Sequence, residues 1–404
     1  MNLRDLAAVG PLVGAELNPE LEINSISARS RDRMILVGVI GDGESELAAH
    51  LLRVVLEGMP HTRVGFIGPE SVWIRGVELP RKEWGGMPGV QQLLQRMGDA
   101  RCTHVVLHMD GDTLNRREYV DLHMSVTALT APTGPKDALE AVMAASDTVV
   151  LNLDEKAWEG YGNIIPEHTF TYSENKTRAD LTAKNLRLFP GHMEFDALTV
   201  GHIQRIHLPV PGGFALYHSL CALSCGLCLG LKWERMARVM RSVHGPRGRL
   251  EVLSVPAAYT VVLDRADTAR SLEQLLTSVR EFAAGQVVCV LGCPNEGSAA
   301  RRAELGGVAE QLADRIILSG NFCAGEEQMS RIGDVRRGMG AWHRPCTVEL
   351  DRRQAIQTAL EKAGPGDVIV LAGCSAQGPD ERELVRDWVS SRHFRRKKEA
   401  LSGV

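Results

Sequence analysis

Residues 38–45 space glycines and a hydroxyl side chain in the way that a phosphate-binding loop does. The pattern of such a loop, G-x-x-x-x-G-K-[ST], is matched by Gly38, Gly43 and Ser45, and Gly41 lies between the two glycines. Glycines let backbone N–H groups close on phosphate oxygens, the lysine neutralises the phosphates, and the hydroxyl holds magnesium. Glu44 stands at the lysine position. The sequence therefore predicts a phosphate loop that has lost its cation.

The acidic side chain of Glu44 changes what this loop can bind. Two like charges about 4 Å apart repel by about 4 kcal/mol at an effective dielectric constant of about 20. The surroundings still fit a phosphate loop, because the apolar run 34–37 predicts a strand and residues 46–52 predict the start of a helix. The alternative is an ordinary strand–turn–helix without a ligand. We expect ATP and magnesium to bind only weakly here.

The elements that position this loop alternate between strands and helices. This alternation predicts an α/β fold with a mostly parallel sheet that is covered on both faces. Residues 168–209 differ in character and predict antiparallel strands. The strands predicted in this half are 34–40, 62–67, 104–109, 126–129, 148–152, 169–172, 192–198 and 202–209, and the helices are 44–57, 89–97, 136–145, 214–229 and 233–243.

A stretch rich in glycine and arginine at 243–249 breaks the pattern and predicts a domain boundary. A second α/β series follows. Its predicted strands are 259–263, 286–291, 315–318 and 368–372, and its predicted helices are 269–282, 298–311, 352–363 and 380–391. We therefore expect a leader segment at 1–33 with no separate domain before residue 34, a central domain at 34–243 and a C-terminal domain at 244–404.

Composition excludes several classes of protein. The chain has 404 residues and a formal net charge of −4, which gives no basis for nucleic-acid binding. No apolar run is long enough for a membrane span and no signal peptide is evident, so we expect a cytoplasmic protein. Nine cysteines, an odd number, predict free buried thiols. The basic stretch 392–398 predicts a solvated helix end, and the alternative is contact with an anionic partner.

Several motifs resemble those of the Mur ligases. Gly248-Arg249-Leu250-Glu251 is similar to the family's Gly-Arg-x-Glu linker, and residues 264–273 are similar to its Asp-Tyr-Ala-His-x-Pro-x-Ser-Leu-Glu stretch. The chain most closely resembles the UDP-N-acetylmuramyl-tripeptide synthetases, from about residue 34 to 388. Other similar stretches, in the family's order, lie at 149–155, 211–214, 292–293, 301–306, 312–314, 351–352 and 366–368.

This resemblance implies a fold and a set of nucleotide contacts. The fold is a P-loop-containing Mur ligase central domain with a mostly parallel sheet, followed by a Rossmann-like C-terminal domain, without the family's UDP-sugar domain. Arg249 and Asp264 are candidates for contacts with ribose and phosphate, and an ordinary surface ion pair is the alternative. His218 stands where the family has an asparagine that contacts adenine.

Many charged positions of the family are replaced in this chain. His108 stands at the position of a magnesium-binding glutamate, residues 129–135 lack the family's Asp-His-Leu-Asp motif, and no counterpart of its carbamylated lysine is evident near 142–143. The motifs that bind the amino acid substrate are also altered, at 321–324 and 373–377. We therefore expect a Mur-ligase-like protein without ligase activity that acts as a binding or scaffolding partner in cell-wall metabolism and retains some nucleotide binding. The alternative is a divergent ATP-dependent carboxylate–amine ligase.

Three cysteines have a spacing known from cofactor sites. Cys221, Cys225 and Cys228 match the C-x-x-x-C-x-x-C spacing of an iron–sulfur cluster. In an apolar stretch, however, spacings of four and seven residues put them on one face of a helix, where buried cysteines pack as small hydrophobes. We expect no iron–sulfur cluster.

A group of histidines and aspartates around residues 104–123 raises the question of a metal site. Their spacing matches no standard zinc set, and Asp110-Gly111-Asp112 predicts a turn. His108 and Asp110 nevertheless follow a strand toward its carboxyl end, where α/β sheets bind ligands. We expect no dedicated metal site among the members of this group, which are His104, His108, Asp110, Asp112 and His123.

Overall fold

The structure is a computed structural model. It describes residues 34–41, 45–68, 71–79, 89–117, 119, 122–161, 164–166, 169–243, 245, 248, 250–253, 255, 257–293, 298–320, 326–340, 344–373 and 380–402. These residues form two compact units. The first holds 34–186, 194–208 and 214–243, and the second holds 187–193, 209–213 and the described residues from 245 onward. The predicted leader, 1–33, lies outside the described residues.

Eleven strands of the first half form one sheet. In chain order they are β1 (Ile35–Ile40), β2 (Val64–Ile67), β3 (Val72–Ile74), β4 (Val77–Glu78), β5 (His104–Met109), β6 (Met124–Leu129), β7 (Ser146–Asn152), β8 (Thr169–Ser173), β9 (Leu181–Phe189), β10 (His192–Thr199) and β11 (His202–Leu208). Their order across the sheet is β11-β10-β9-β8-β7-β6-β1-β5-β2-β3-β4.

Helices connect these strands. They are α1 (Ser45–Glu57), α2 (Val90–Asp99), α3 (Gly111–Asn115), α4 (Lys136–Ala144), a 3₁₀ helix (Lys156–Tyr161), α5 (Phe214–Cys228) and α6 (Trp233–Met240). The strand β1 lies between β5 and β6 and is parallel to both. Its residues are almost all buried, as expected for the centre of a parallel sheet that has both faces covered.

The strand prediction for residues 168–209 is partly wrong. Two-residue turns connect β9 to β10 and β10 to β11, and such short connections join antiparallel neighbours. The segment predicted at 169–172, however, is β8, which pairs in parallel with β7. The connection between β7 and β8 is long enough to hold a 3₁₀ helix, so the chain can cross over and return in the same direction.

The second unit contains a six-stranded sheet. Its strands are β12 (Glu251–Leu253), β13 (Thr260–Asp264), β14 (Val287–Gly292), β15 (Arg315–Ser319), β16 (Cys346–Glu349) and β17 (Val368–Ala372), in the order β12-β13-β17-β14-β15-β16. All neighbours pair in parallel except β12 and β13. This is the Rossmann-like arrangement that was expected. The helices are α7 (Ala269–Arg280), α8 (Ala299–Leu312), α9 (Glu326–Arg337), α10 (Arg352–Lys362) and α11 (Glu381–Ser402).

Each sheet packs its own apolar core. In the first, the apolar face of α2 contributes Leu94 and Met97 beside Leu107 of β5. In the second, Ile356 and Leu360 of α10 pack with Val290 of β14. Both helices bury one face, as amphipathic helices on an α/β sheet do. Within the described part of the chain, no helix is both long and apolar enough to cross a membrane.

Candidate nucleotide site

The predicted phosphate loop connects the central strand β1 to helix α1. The backbone N–H of Gly41 donates to Met109 O over 3.2 Å, and Thr130 N donates to Ile40 O over 2.9 Å. The end of β1 is therefore held between the ends of β5 and β6. The carboxyl ends of central parallel strands are where α/β sheets bind their ligands. Residues 42–44 lie outside the described residues, so the expectations for Gly43 and Glu44 stay predictions.

Two glycines of the loop have no room for a side chain. A Cβ on Gly41 would lie 2.0 Å from Thr130 Oγ1 and 2.7 Å from Ser45 Cβ, and a Cβ on Gly38 would lie 2.7 Å from Met109 Cε. These glycines are therefore required for packing, whether or not a phosphate binds. The hydroxyl of Thr130 also donates to Ile40 O over 3.0 Å. Thr130 was not among the predicted residues of the loop, because only the order of the strands brings it there.

The hydroxyl of Ser45 forms a buried hydrogen bond with His108. Ser45 Oγ lies 2.7 Å from His108 Nε2, and the two residues are 0% and 3% exposed. Ser45 begins α1, whereas His108 lies on β5 beside Val39 of β1. The hydroxyl expected to hold magnesium therefore contacts an imidazole, at the position where the resemblance places a magnesium-binding glutamate.

The nearby carboxylate Asp110 caps a helix. It accepts hydrogen bonds from the backbone N–H and the hydroxyl of Thr113, as an N-cap residue does. The prediction of a turn at 110–112 is therefore wrong, because Asp110 is the N-cap of α3, which begins at Gly111. His104 lies at the opposite end of β5 from Asp110, where burial lowers its pKa, and His123 contacts Asp147 at 2.9 Å. The histidines and aspartates of residues 104–123 are therefore not arranged around a single point.

His218 lies on α5, away from solvent. It is 7% exposed, and its ring meets Phe214 edge to face at 5.8 Å. The same helix carries Cys221, Cys225 and Cys228, and the first two are fully buried. Burial, reinforced by Asp180, raises the pKa of Cys228 to about 11. Metal clusters are bound by thiolates, and burial of this kind disfavours the thiolate.

A polar cluster that the sequence did not reveal lies at the ends of β7 and β8. Asp154 accepts hydrogen bonds from Ser173 Oγ at 2.7 Å and from the backbone N–H of Glu174 at 2.7 Å. Burial alone would raise the pKa of Asp154, but these donors, Asn175 N and Lys176 lower it.

Tyr217 joins this cluster from α5. Its hydroxyl donates to Glu174 Oε2 over 3.1 Å, and burial together with the charges of Glu174 and Asp154 raises its pKa. In the sequence, only the polar run 173–176 after a strand could have indicated this cluster. Its members come together because β7 and β8 end at the same edge of the sheet.

Asp264, in the second unit, fixes two segments of the backbone through hydrogen bonds. Its carboxylate accepts from Leu250 N at 2.7 Å and from Ala266 N at 2.8 Å, and the residue is 6% exposed. Leu250 has a φ of +43°, a left-handed conformation that non-glycine residues rarely adopt, so Asp264 helps to hold a strained turn. Arg249 lies outside the described residues. The predicted contacts of Arg249 and Asp264 with ribose and phosphate stay predictions.

Taken together, the structure gathers Gly38, Gly41 and Ser45 at the end of β1 and adds His108 and Thr130 to them. His218 belongs to the same unit but lies on a separate helix, and Asp264 belongs to the other unit. The described residues of the loop pack against the side chains of Met109, Thr130 and His108.

Comparison with known proteins finds similarity to Mur ligases in the sequence. Residues 248–375 match the model of the Mur ligase glutamate ligase domain. The UDP-N-acetylmuramoyl-L-alanyl-D-glutamate–2,6-diaminopimelate ligase 2 of Clostridium acetobutylicum is 31% identical over 241 residues, which are 59% of this chain and 48% of that protein. The chain thus matches about half the length of this relative.

Two further similarities extend over most of the chain. The UDP-N-acetylmuramoyl-L-alanyl-D-glutamate–2,6-diaminopimelate ligase of Synechococcus elongatus is 28% identical over 362 residues, which cover 84% of this chain and 71% of that protein. A solved structure of a ligase with the same name superposes with a TM-score of 0.68 at 18% identity, over 89% of this chain and 79% of that one. At this identity the structural similarity shows the fold.

Proposed function

Because this chain is a relative of the Mur ligases in sequence and in fold, we propose that it is a Mur-ligase-like protein that has lost ligase activity. In this proposal it acts as a binding or scaffolding partner in cell-wall metabolism. The observation that carries the proposal is the buried hydrogen bond of 2.7 Å between Ser45 Oγ and His108 Nε2.

The donor atoms at the loop do not fit magnesium. Magnesium requires near-ideal octahedral coordination by oxygen, from carboxylates, phosphates and water. At the described part of the loop, the Ser45 hydroxyl contacts an imidazole nitrogen, and the Asp110 carboxylate is used in capping α3. Phosphoryl transfer depends on magnesium to neutralise the charge that develops on the transferred group. The described donors at this loop therefore do not support the magnesium-dependent step of a ligase.

The glycine spacing of the loop supports residual nucleotide binding, although the described glycines are also needed for packing. The lysine of the pattern is replaced by Glu44, which repels phosphate. We expect magnesium–ATP to bind with a dissociation constant of about 1 mM or weaker, which corresponds to about −4 kcal/mol.

A second candidate function is a divergent ATP-dependent carboxylate–amine ligase. It is favoured by the glycine spacing, by the retained Ser45 and by the names of the relatives, which are ligases. This candidate requires a magnesium site built from other residues than those at the described part of the loop.

Calorimetric titration of ATP, with and without magnesium, distinguishes the two candidates. For the non-catalytic protein we expect weak binding that magnesium does not strengthen. Ser45→Ala should change the ATP affinity less than about twofold, because its hydroxyl already contacts His108 and does not hold a metal. In a working phosphate loop the same change removes a magnesium ligand. Micromolar binding that needs both magnesium and Ser45 would refute the proposal and support the ligase.

Complementation in the source organism tests the scaffolding role. If the protein works by binding partners, a strain that lacks it should be restored equally well by the wild-type chain and by Ser45→Ala. Failure of this variant, at a normal protein level, would indicate that chemistry at the loop is needed.

A further inference from the structure

Three arginines lie at one edge of the first sheet. Arg63 precedes β2, Arg75 follows β3, and Arg101 lies shortly before β5. Because β2 and β5 are parallel and β3 is antiparallel to β2, these three positions meet at the amino-terminal ends of β2 and β5. The glycine loop follows the carboxyl end of β1, which is parallel to β5, and therefore lies at the opposite edge of the sheet.

Hydrogen bonds hold the three arginines next to one another. Arg63 Nε donates to Arg101 O, and Arg75 N donates to Val64 O over 2.8 Å. Burial raises the pKa of the Cys102 thiol, and the positive charges of Arg75 and Arg63 lower it, so both guanidiniums lie near this thiol. All three arginines are exposed, and within the described part of the chain none of their side chains is in an ion pair. We call these three residues the arginine patch.

The backbone of Arg75 has a conformation that arginine rarely adopts. Arg75 and Gly76 form the two-residue turn between β3 and β4, with φ angles of +52° and +79°. Two positive φ angles are typical of a type I′ turn, in which asparagine, aspartate or glycine usually comes first. Arginine at this position raises the free energy of the folded chain, because its Cβ crowds the backbone in the left-handed conformation. The requirements of the turn therefore do not explain the arginine.

Arg101 is a second exception of this kind, at the end of α2. Its backbone N–H donates to Gly98 O over 2.8 Å, and the N–H of Cys102 donates to Met97 O over 2.9 Å. These two bonds form a Schellman motif, in which glycine usually stands at the position of Arg101. The φ angle of Arg101 is +55°. Unfavourable backbone conformations are often kept where a residue serves binding, and two members of the arginine patch have one.

The chemistry of the arginine patch fits a partner that carries carboxylates. A guanidinium is always charged, and its planar N–H groups match the two oxygens of a carboxylate. The three side chains are exposed and so form a surface, not an enclosed site for a small anion. The chain carries a net charge of −4, which disfavours a long nucleic acid as the partner.

We propose that the arginine patch is a docking surface for an acidic segment of a partner protein, rich in aspartate and glutamate. The inference rests on the proposed binding role but not on the loss of ligase activity, because the patch and the loop lie at opposite edges of the sheet. The alternative is a group of solvated arginines. That alternative explains the exposure of the three side chains but not the presence of arginine at two left-handed positions.

Fluorescence anisotropy of a labelled oligo-glutamate peptide, titrated with the full chain, tests the surface. We expect saturable binding that weakens as salt is added. Arg75→Asn and Arg101→Asn should each weaken it about two- to fivefold, as for the loss of one exposed ion pair, and both together with Arg63→Ala should weaken it roughly tenfold or more. The control is Arg117→Asn, because Arg117 is also exposed and has a φ of +55° but is paired with Asp137. It should bind the peptide as the wild type does.

The same variants separate binding from stability. Asparagine tolerates the left-handed conformation better than arginine, so the melting temperatures of Arg75→Asn and Arg101→Asn should equal or exceed that of the wild type. A lower melting temperature would show that these arginines serve the fold and would overturn the proposal. The absence of saturable peptide binding, or equal affinity in all variants, would overturn it as well.

Two further titrations identify what has failed if a result is negative. A single-stranded oligonucleotide of the same charge should bind more weakly than the peptide. Tighter binding that the same substitutions weaken would overturn the choice of an acidic protein segment, since the patch would then recognise phosphate. The affinity for ATP should be the same in the wild type and the triple variant, so a failure of the docking surface leaves the proposal for the loop untouched.

Discussion

Arg352 shows how a charged residue of this chain serves packing. It begins α10, is only 1% exposed, and donates two hydrogen bonds to the carboxylate of Glu381 at 2.9 and 3.3 Å. Three further bonds reach Val290 O, Ser319 Oγ and Ala372 O, at 2.9–3.0 Å. The guanidinium therefore ties the ends of three parallel strands to α10 and α11. The motif at 351–352, which resembles a Mur ligase motif, has a structural role here.

We predict that Arg352→Met destabilises the second unit by about 3–5 kcal/mol, because it leaves the carboxylate of Glu381 buried without its partner. Adding Glu381→Leu should recover part of this loss, since no unpaired charge then remains. The control is Arg353→Ala, which removes an exposed arginine from the next position of the same helix. Denaturant unfolding measures all four proteins. A loss for Arg352→Met no larger than for Arg353→Ala would show that the network adds no stability.

The lowered pKa of Asp154 predicts how the stability of the fold changes at acid pH. Although burial opposes ionisation, the hydrogen bonds from Ser173, Glu174 and Asn175 lower its pKa in the folded protein. A lowered pKa stabilises the fold above the ordinary value of about 3.8–3.9, and this stabilisation is lost as the pH falls through the folded value. The stability difference between the wild type and Asp154→Asn, which cannot ionise, should therefore be largest near pH 6 and shrink toward pH 3. A difference that stays constant over this range would contradict the lowered pKa.

At the scale of elements, close contact between α8 and α9 depends on glycine. A Cβ on Gly306 of α8 would lie 1.9 Å from Val335 O of α9, so backbone meets backbone at this point. Gly333, on α9, has nothing within 4 Å of the position of its Cβ. The two glycines lie in facing helices of one unit, but only Gly306 is required by the close contact between the helices.

We predict opposite effects for the same substitution at these two glycines. Gly306→Ala should destabilise the second unit by about 1–3 kcal/mol, because α8 and α9 must move apart. Gly333→Ala should stabilise it by about 0.5–1 kcal/mol, since alanine favours the helix and meets no other atom. Thermal unfolding of both variants measures the effects. Equal shifts of the same sign would mean that the helix contact is looser than the structure indicates.

The strands of the two sheets were largely predictable from sequence, and their pairing was not. The predicted strands 104–109 and 368–372 match β5 and β17, because a buried parallel strand is a continuous apolar run. The short strands β3, β4, β12 and β16 and the longer, partly polar strand β9 carry no such run and were not predicted. The direction of β8 was wrong, since a strand of five residues does not reveal which neighbour it joins.

The contacts within the candidate site were not predictable either, because they depend on how the strands pair. The sequence placed Ser45 after a glycine loop and His108 toward the end of a strand, but 63 residues separate them. Only the order β6-β1-β5 brings this histidine to the loop, and the contact with Thr130 comes from β6 in the same way.

At the scale of the whole molecule, our proposal is that the core is retained while the chemistry at the loop is altered. The apolar residues that fill both sheets are buried, and the fold superposes on a solved ligase with a TM-score of 0.68. In our proposal, the functional groups of the loop region have instead become part of the packing, as Ser45 and His108 illustrate. Loss of one cation is then only one of several changes that affect the same reaction.

We therefore predict that Glu44→Lys alone does not create ligase activity. The new cation should relieve repulsion of phosphate, so ATP affinity should rise measurably. Phosphoryl transfer also needs magnesium and a positioned acceptor, and neither is supplied by His108 or by the altered stretch 321–324. Because such losses act on one transition state, repair of one recovers little of the rate.

The measurement is phosphate release by purified Glu44→Lys protein over a panel of amino acids and muramyl peptides. Glu44→Gln is the matched control, because it removes the negative charge without adding a cation and should show a smaller gain in ATP affinity. Neither variant should release phosphate above the rate of the wild type. Turnover by Glu44→Lys that requires both an acid and an amine would show that the loop is one substitution from activity. In that case the contact between Ser45 and His108 must open readily enough to admit magnesium, and the protein would be better described as a ligase held inactive by one charge.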